Sequence, residues 1–147
     1  MLTQPEWRHR IPAELERLAE LRSLVREAAT AGGATRDAVD DLVQAVDEAA
    51  ANAIVHGYAG APGWLELHVA IDGPDIVVTL EDGAPWFDPT VAPEPDMDVP
   101  ATVRGPGGMG IHLIRLATDA LDYRRRADGG NMLTMTRSLD RRPKEDA

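Results

Sequence analysis

Two stretches in the first half of the chain place apolar residues at helical spacing. From Ile11 to Ala31 the apolar positions recur every three or four residues, and Gly32-Gly33 follows them. From Asp37 to His56 valine, leucine and alanine form one stripe, and Gly57 is placed as a C-terminal stop. Both patterns predict amphipathic helices.

Four later stretches have the character of strands, in two pairs joined by turn residues. Trp64 to Ile71 alternates between apolar and more polar residues, which is typical of a half-buried strand. Gly73-Pro74 and Asp128-Gly129-Gly130 are hairpin signals. The predicted strands are Trp64 to Ile71, Asp75 to Leu80, Ala120 to Arg126 and Asn131 to Ser138.

A segment rich in proline, glycine and aspartate, Gly83 to Gly110, separates the two strand pairs. A loop of that length in a compact domain is functional or mobile. Helical spacing returns at Met109. The order of elements predicts a two-layer α/β sandwich, with helices on one face of a mainly antiparallel sheet. We expect one domain over residues 1–147, with its core at about 11–138 and a tail at 139–147.

Composition narrows the classes of function. The formal charge of -10 argues against non-specific binding to nucleic acid, which needs a surplus of basic residues. No apolar run approaches the roughly 20 residues of a membrane span, and MLTQPEWRHR lacks the apolar core of a signal peptide. With no cysteine as well, we expect a cytoplasmic protein.

A polar row interrupts the second helix at Glu48, Asn52 and His56. At helical spacing the three lie within an arc of about 80°, beside the apolar stripe. One interpretation is a solvated face with His56 capping the helix end. The other is a carboxylate that activates a nucleophile beside an amide oxygen that binds Mg²⁺.

Two further segments bear on that choice. Asp82 follows an apolar strand, where it forms either a turn or an acceptor for an exocyclic amine such as that of adenine. Trp86 and Phe87 in the next loop are expected to anchor packing. RGPGGMGIHLIR directs unobstructed backbone amides and a helix N-terminus at one place, which suits phosphate; a flexible lid is the alternative. It matches neither a P-loop nor a dinucleotide fingerprint.

Taken in order, EAAANAIVHGY, EDGAPWFDP, GPGGMGIHLIR and GGNMLTMTR resemble the GHKL superfamily of ATP-binding domains. Within it, the chain is most similar to the small anti-sigma factor serine/threonine kinases of bacteria. The resemblance runs from about Ile11 to Ser138 and implies the ATP-binding fold called the Bergerat fold.

The resemblance implies ATP and Mg²⁺ as cofactors and assigns a role to each matching position. Glu48 matches the general base, Asn52 the magnesium ligand, and Asp82 the aspartate that binds the adenine amine. Thr134 matches a late-strand position near the adenine. Gly108, Met109 and Gly110 match the phosphate loop. Thr90 to Arg104 matches the lid over the nucleotide, with Arg104 as its phosphate contact, and His56-Gly57 matches a structural pair of the family.

The chain departs from the family at the adenine turn, which usually reads DxG. Aligning Asp82 with the family aspartate puts Ala84 in the position of the glycine. Aligning Gly83 with that glycine instead puts Glu81 in the position of the aspartate.

Two functions follow from the resemblance. The first is a protein kinase that phosphorylates a serine of an antagonist protein and sequesters a sigma factor, with a homodimer as its plausible assembly. The second is a nucleotide-responsive module that binds a regulator without phosphorylating anything. The ATP-binding half of a histidine kinase would need a helical segment with a phosphoacceptor histidine, for which the stretch before the first helix leaves no space.

Overall fold

The computed structural model describes residues 5–91 and 108–140. Its strands are β1 (Glu6–Pro12), β2 (Trp64–Asp72), β3 (Asp75–Asp82), β4 (Ala120–Arg125) and β5 (Asn131–Ser138). Its α-helices are α1 (Leu18–Ala31), α2 (Arg36–Asn52) and α3 (Gly108–Ala117). A π turn (Ala53–Gly57) continues α2, and short 3₁₀ turns lie at Leu15–Arg17 and Pro89–Val91.

The strands form one antiparallel sheet in the order β1-β2-β3-β5-β4, with β3 at its centre. Leu65 and Leu67 of β2 and Val78 of β3 are fully buried, as are Leu42 and Val46 of α2, and all belong to one core. The other side of the sheet, here called the outer face, carries partly buried residues such as Glu66 and Thr79. The predicted α/β sandwich with helices on one face is therefore confirmed.

The prediction of a helix beginning at Ile11 is wrong. Ile11 lies in β1, directly opposite Leu65 of β2, and the α-helix starts at Leu18. Residues of β1 alternate between the core side, which includes Trp7 and Ile11, and the exposed outer face, which includes Arg8. The two-residue alternation of this strand was not recognised in the sequence because most of its residues are charged or polar. The sheet therefore has one more strand than predicted, and that strand begins before the predicted core.

Leu139, the first residue of the predicted tail, has a buried side chain and is hydrogen-bonded to the domain. Its backbone N–H donates to the carbonyl of Pro74 at 2.9 Å, and its carbonyl accepts from the N–H of Thr35 at 2.8 Å. The chain therefore stays attached to the domain through Leu139.

Helix α2 is capped at its start and is tied to the sheet within its first two turns. At its start the Thr35 hydroxyl accepts a hydrogen bond from the N–H of Ala38 at 3.2 Å, which satisfies one of the free amides of the first turn. Further along, the fully buried Arg137 of β5 donates to a carboxylate oxygen of Asp41 at 3.2 Å. These contacts set the position of α2, which carries Glu48 and Asn52.

No helix within residues 5–91 and 108–140 is both long and apolar enough to cross a membrane.

Candidate functional site

A cleft opens between α2, the end of β3 and α3. It contains about 440 Å³ of free space, part of it open to solvent. Its walls are mostly apolar, with a few polar groups. The lining residues are Ala49, Asn52, Ala53, Gly57, Leu80, Asp82, Phe87, Pro89, Ile114, Tyr123, Asn131 and Leu133.

The polar row of α2 faces the start of α3 at one end of this cleft. A Cβ built on Gly110 would lie 3.1 Å from Nδ2 of Asn52 and 3.2 Å from Oε2 of Glu48. Among the described residues, the Glu48 carboxylate has no hydrogen-bond or ion-pair partner, whereas its neighbour Asp47 is bound by Arg22 at 2.6 Å. The structure thus brings together Glu48, Asn52 and Gly110, and leaves the Glu48 carboxylate available.

The start of α3 supplies backbone donors at the same end. Gly108, Met109 and Gly110 form its first turn, where backbone N–H groups have no acceptor within the helix. Such amides, together with the positive end of the helix dipole, favour an anion. Arg104 and the lid beyond Val91 lie outside the described residues.

His56 does not line the cleft. A π turn follows Asn52, and the N–H of Tyr58 donates to the carbonyl of Ala53, five residues earlier, at 2.8 Å. Because this turn is wider than an α-helical turn, Gly57 lines the cleft while the His56 side chain is exposed. The predicted row therefore reduces to Glu48 and Asn52.

Asp82 is the last residue of β3 and lines the cleft, only 6% exposed. Its Oδ1 accepts hydrogen bonds from the N–H of Ala84 at 2.9 Å and from Nδ2 of Asn131 at 2.8 Å. No described residue donates to Oδ2, so that oxygen is left for a ligand in the cleft. Burial raises the pKa of Asp82, while the bonds from Asn131 and Ala84 act against that rise.

The two acidic residues that could match the family aspartate face opposite sides of the sheet. Glu81 lies on the outer face of the sheet, with Oε1 4.0 Å from Nε of Arg126, whereas Asp82 lines the cleft. Ala84 is buried, and its methyl carbon would lie 3.2 Å from a Cβ built on Gly57. The alanine is thus accommodated by the glycine at the end of the π turn, and its methyl group is not part of the cleft wall.

Tyr58 supports the turn after Asp82 from outside the cleft. Its hydroxyl accepts from the N–H of Gly83 at 2.7 Å and from the N–H of Trp64 at 3.2 Å, and donates to the carbonyl of Trp64 at 2.7 Å. The segment that follows α2 is therefore hydrogen-bonded to the start of β2 and to the end of β3.

Asn131 is the site residue that the sequence analysis missed, and Thr134 is not where it was expected. Leu133 lines the cleft, so Thr134, the next residue of β5, faces the outer side, with its hydroxyl 3.5 Å from that of Thr79. Asn131 instead pairs with Asp82 across the β3–β5 ladder and lines the cleft. The available signal was Gly129-Gly130 immediately before it, since such a pair marks where the last strand begins.

The two aromatic residues after the turn behave differently. Phe87 lines the cleft although its side chain is 48% exposed, so it does more than anchor packing. Trp86 points away, and the guanidinium carbon of Arg125 lies 4.7 Å from its ring centroid, within the range of a cation–π contact.

No group of three or more acidic or histidine side chains in the described ranges is arranged to hold a metal ion. Magnesium that takes most of its ligands from phosphate and water does not require such a group, and one amide oxygen from Asn52 would suffice. The chemistry of the donor set at this end of the cleft fits that mode of binding.

An α/β sandwich with an apolar cleft that is lined by a buried acid and lies beside a glycine-rich helix start defines the class of a nucleotide-binding domain. Residues 11–137 match the family described as the histidine kinase-like ATPase domain. The chain belongs to that family.

Named relatives lie within the same family. A serine/threonine-protein kinase BtrW from Bordetella bronchiseptica is 33% identical over 96 residues, which cover 65% of this chain and 67% of the relative. A serine-protein kinase RsbW from Halalkalibacterium halodurans is 32% identical over 136 residues, covering 89% and 82%. An anti-sigma F factor from Clostridium kluyveri is 25% identical over 108 residues, covering 69% and 71%.

The fold has a counterpart among solved structures. The crystal structure of the RsbU and RsbW domains of Rv1364c from Mycobacterium tuberculosis aligns with 97% of this chain at a TM-score of 0.66 and 21% identity. The matched part is 35% of that longer chain. The likeness supports the architecture described above.

Proposed function

We propose that this protein is an ATP-dependent serine/threonine protein kinase that acts as an anti-sigma regulatory factor and phosphorylates a serine of an antagonist protein. The relatives named as serine kinases and as an anti-sigma factor support the proposal. The observation that carries it is the Glu48 carboxylate, which no described residue pairs with, beside Asn52 and Gly110 at the end of the cleft that suits phosphate.

The base end of the cleft fits adenine. Asp82 offers Oδ2, to which no described residue donates, as an acceptor for the exocyclic amine of adenine, whereas guanine presents a carbonyl oxygen at the equivalent position. Leu80, Leu133 and Ile114 provide apolar walls for a flat ring.

The phosphate end fits a magnesium–phosphate group. Asn52 would ligate Mg²⁺ through its amide oxygen, and the first-turn amides of α3 would bind phosphate oxygens. Bound MgATP supplies the transferable phosphoryl group, and such transfer depends mainly on positioning and charge neutralisation. Glu48 would accept the proton of the substrate serine hydroxyl through its carboxylate.

The same proposal includes the setting in which the kinase works. A net charge of -10 favours protein partners with basic or mixed surfaces. A sigma factor and an antagonist would be these partners, within the cytoplasm, and the kinase would act as a homodimer.

Replacing Glu48 tests the proposal. Glu48→Gln keeps the size of the side chain but removes the proton acceptor. We expect it to bind MgATP as the wild type does and to lose phosphoryl transfer to candidate antagonist proteins. The intact mass of each antagonist protein measures that transfer. Asp47→Asn is the matched control, because Asp47 is paired with Arg22, and it should retain transfer. Transfer by Glu48→Gln at the wild-type rate would remove Glu48 from the mechanism.

The departure from the family at the adenine turn would favour the alternative, a nucleotide-responsive module that binds a regulator without kinase activity. That reason weakens, because the Ala84 methyl group packs against Gly57 and does not line the cleft. An antagonist that gains one phosphoryl group in the intact-mass experiment would exclude the module, and a panel that gains none with nucleotide bound would favour it.

A further inference from the structure

Asn131 is the most highly connected polar side chain in the cleft. Its Nδ2 donates to Oδ1 of Asp82 at 2.8 Å and to the carbonyl of Pro85 at 3.1 Å. Its Oδ1 accepts from the N–H of Phe87 at 2.9 Å and from the Tyr123 hydroxyl. Three of these partners, Asp82, Phe87 and Tyr123, line the cleft themselves.

The polarity of these partners fixes which way the amide points. The N–H of Phe87 can only donate, and the carbonyl of Pro85 can only accept. Inverting the amide would place its NH₂ against the Phe87 N–H and its oxygen against the Asp82 carboxylate. Asn131 therefore always presents a donor to Asp82, and the orientation follows from its neighbours.

Backbone packing holds Asn131 at this point. A Cβ added to Gly130, whose φ is +105°, would collide with the carbonyl oxygen of Asp82, so the start of β5 approaches the end of β3 more closely than any other residue would allow. The position of the Asn131 amide is thus determined by the sheet.

We propose that Asn131 is a positioning residue that sets base specificity by holding Asp82, Phe87 and Tyr123 in one fixed arrangement around the base. This inference rests on the proposed nucleotide site. Because Nδ2 of Asn131 and the N–H of Ala84 both donate to Oδ1 of Asp82, only Oδ2 remains to accept from the ligand. A base with an exocyclic amine at that point is accepted, and a base with a carbonyl is repelled.

Asn131→Asp tests the proposal with almost no change in shape. The variant keeps the acceptor for Phe87 and Tyr123 but replaces the donor facing Asp82 with a carboxylate oxygen. Near neutral pH we expect the affinity for MgATP, measured by calorimetry, to fall by about tenfold or more. The preference for MgATP over MgGTP should fall with it.

The pH dependence separates positioning from general damage. As the pH falls from about 8 to about 6, one proton should be shared by the two carboxylates, and it restores a donor to Asp82. The affinity of Asn131→Asp for MgATP should therefore recover towards acidic pH, whereas that of the wild type should not rise. Thr136→Val, on the outer face of the same strand, is the control and should keep the wild-type affinity and profile.

Asn131→Ser provides a second test that adds no charge. It should fold, lose part of the discrimination between MgATP and MgGTP, and show no recovery of MgATP affinity at acidic pH. If Asn131→Asp lacks a native circular dichroism spectrum, Asn131→Ser alone tests the role of Asn131. A wild type that binds neither nucleotide would refute the proposed function. A wild type that binds MgATP, together with variants of unchanged discrimination and pH profile, would overturn only the role of Asn131.

Discussion

Replacing Gly110 with alanine should separate stability from nucleotide binding. Gly110 is the third residue of α3, and its missing side chain leaves the space between that helix and the polar groups of α2. The added methyl carbon would lie 3.1 Å from Nδ2 of Asn52 and 3.2 Å from Oε2 of Glu48, where phosphate and metal are proposed to bind.

The two effects have different magnitudes. Alanine is more favourable than glycine in a helix by about 1 kcal/mol, which offsets the energetic cost of the slight movement required of the Asn52 and Glu48 side-chain ends. The free energy of unfolding should therefore stay within about 1 kcal/mol of the wild-type value, or about 3 °C in midpoint. A methyl group in the phosphate site should weaken MgATP binding by at least about tenfold, or about 1.4 kcal/mol.

A thermal-shift assay measures both effects. With MgATP at about 100 times its wild-type Kd, the wild type gains about 2.7 kcal/mol and Gly110→Ala at most about 1.4 kcal/mol. At about 3 °C per kcal/mol, the midpoints should rise by about 8 °C and about 4 °C. Leu116→Ala, on the exposed side of the same helix, is the control for changes in α3 itself. A full wild-type shift in Gly110→Ala would refute the placement of phosphate between the two helices.

Three other substitutions test the supports of the site. Asp82→Asn should raise the thermal midpoint at pH 7, because burial raises the pKa of Asp82 and its stabilising contribution is lost as the pH rises through that pKa. The gain in midpoint should shrink towards acidic pH, and a gain that is constant with pH would contradict this explanation. Tyr58→Phe removes the acceptor of the Gly83 N–H and should lower the free energy of unfolding, measured in urea, by about 2 kcal/mol without changing its slope against urea concentration. A loss within experimental error would show that the hydroxyl is dispensable. Asp41→Ala should lower the free energy of unfolding by about 3 kcal/mol, since it removes the carboxylate bound by buried Arg137, and adding Arg137→Met should restore most of that loss. A double variant as unstable as the single variant would contradict the ion-pair explanation.

Local sequence patterns predicted most of the fold. The hairpin strands, their turns and the helix containing Glu48 all depend on spacing within a short stretch, and each lies within a few residues of its predicted position. Strand β1 was missed because only its pairing with β2 distinguishes it, and that pairing joins residues such as Ile11 and Leu65 that are far apart in the chain.

The site was predicted less completely, for the same reason. Glu48, Asn52, Asp82 and Gly110 each sit in a recognisable local motif, and the structure brings Glu48, Asn52 and Gly110 together and places Asp82 in the cleft wall. The role of Asn131 depends on the register of β5 against β3, which places it opposite Asp82 and turns Thr134 to the outer face. Likewise, the proximity of Ala84 to Gly57 arises from a π turn, which the regular helical spacing of the sequence did not reveal.

The central place of β3 in the sheet determines how the base end of the cleft behaves before any ligand arrives. Strand β3 is hydrogen-bonded on both sides along its length, so amide hydrogens near Leu80 should exchange with solvent only when the whole domain unfolds. Asp82, at the end of that strand, is already oriented in the free protein. Little conformational entropy would therefore be lost there on binding, and the proposed base site is preorganised.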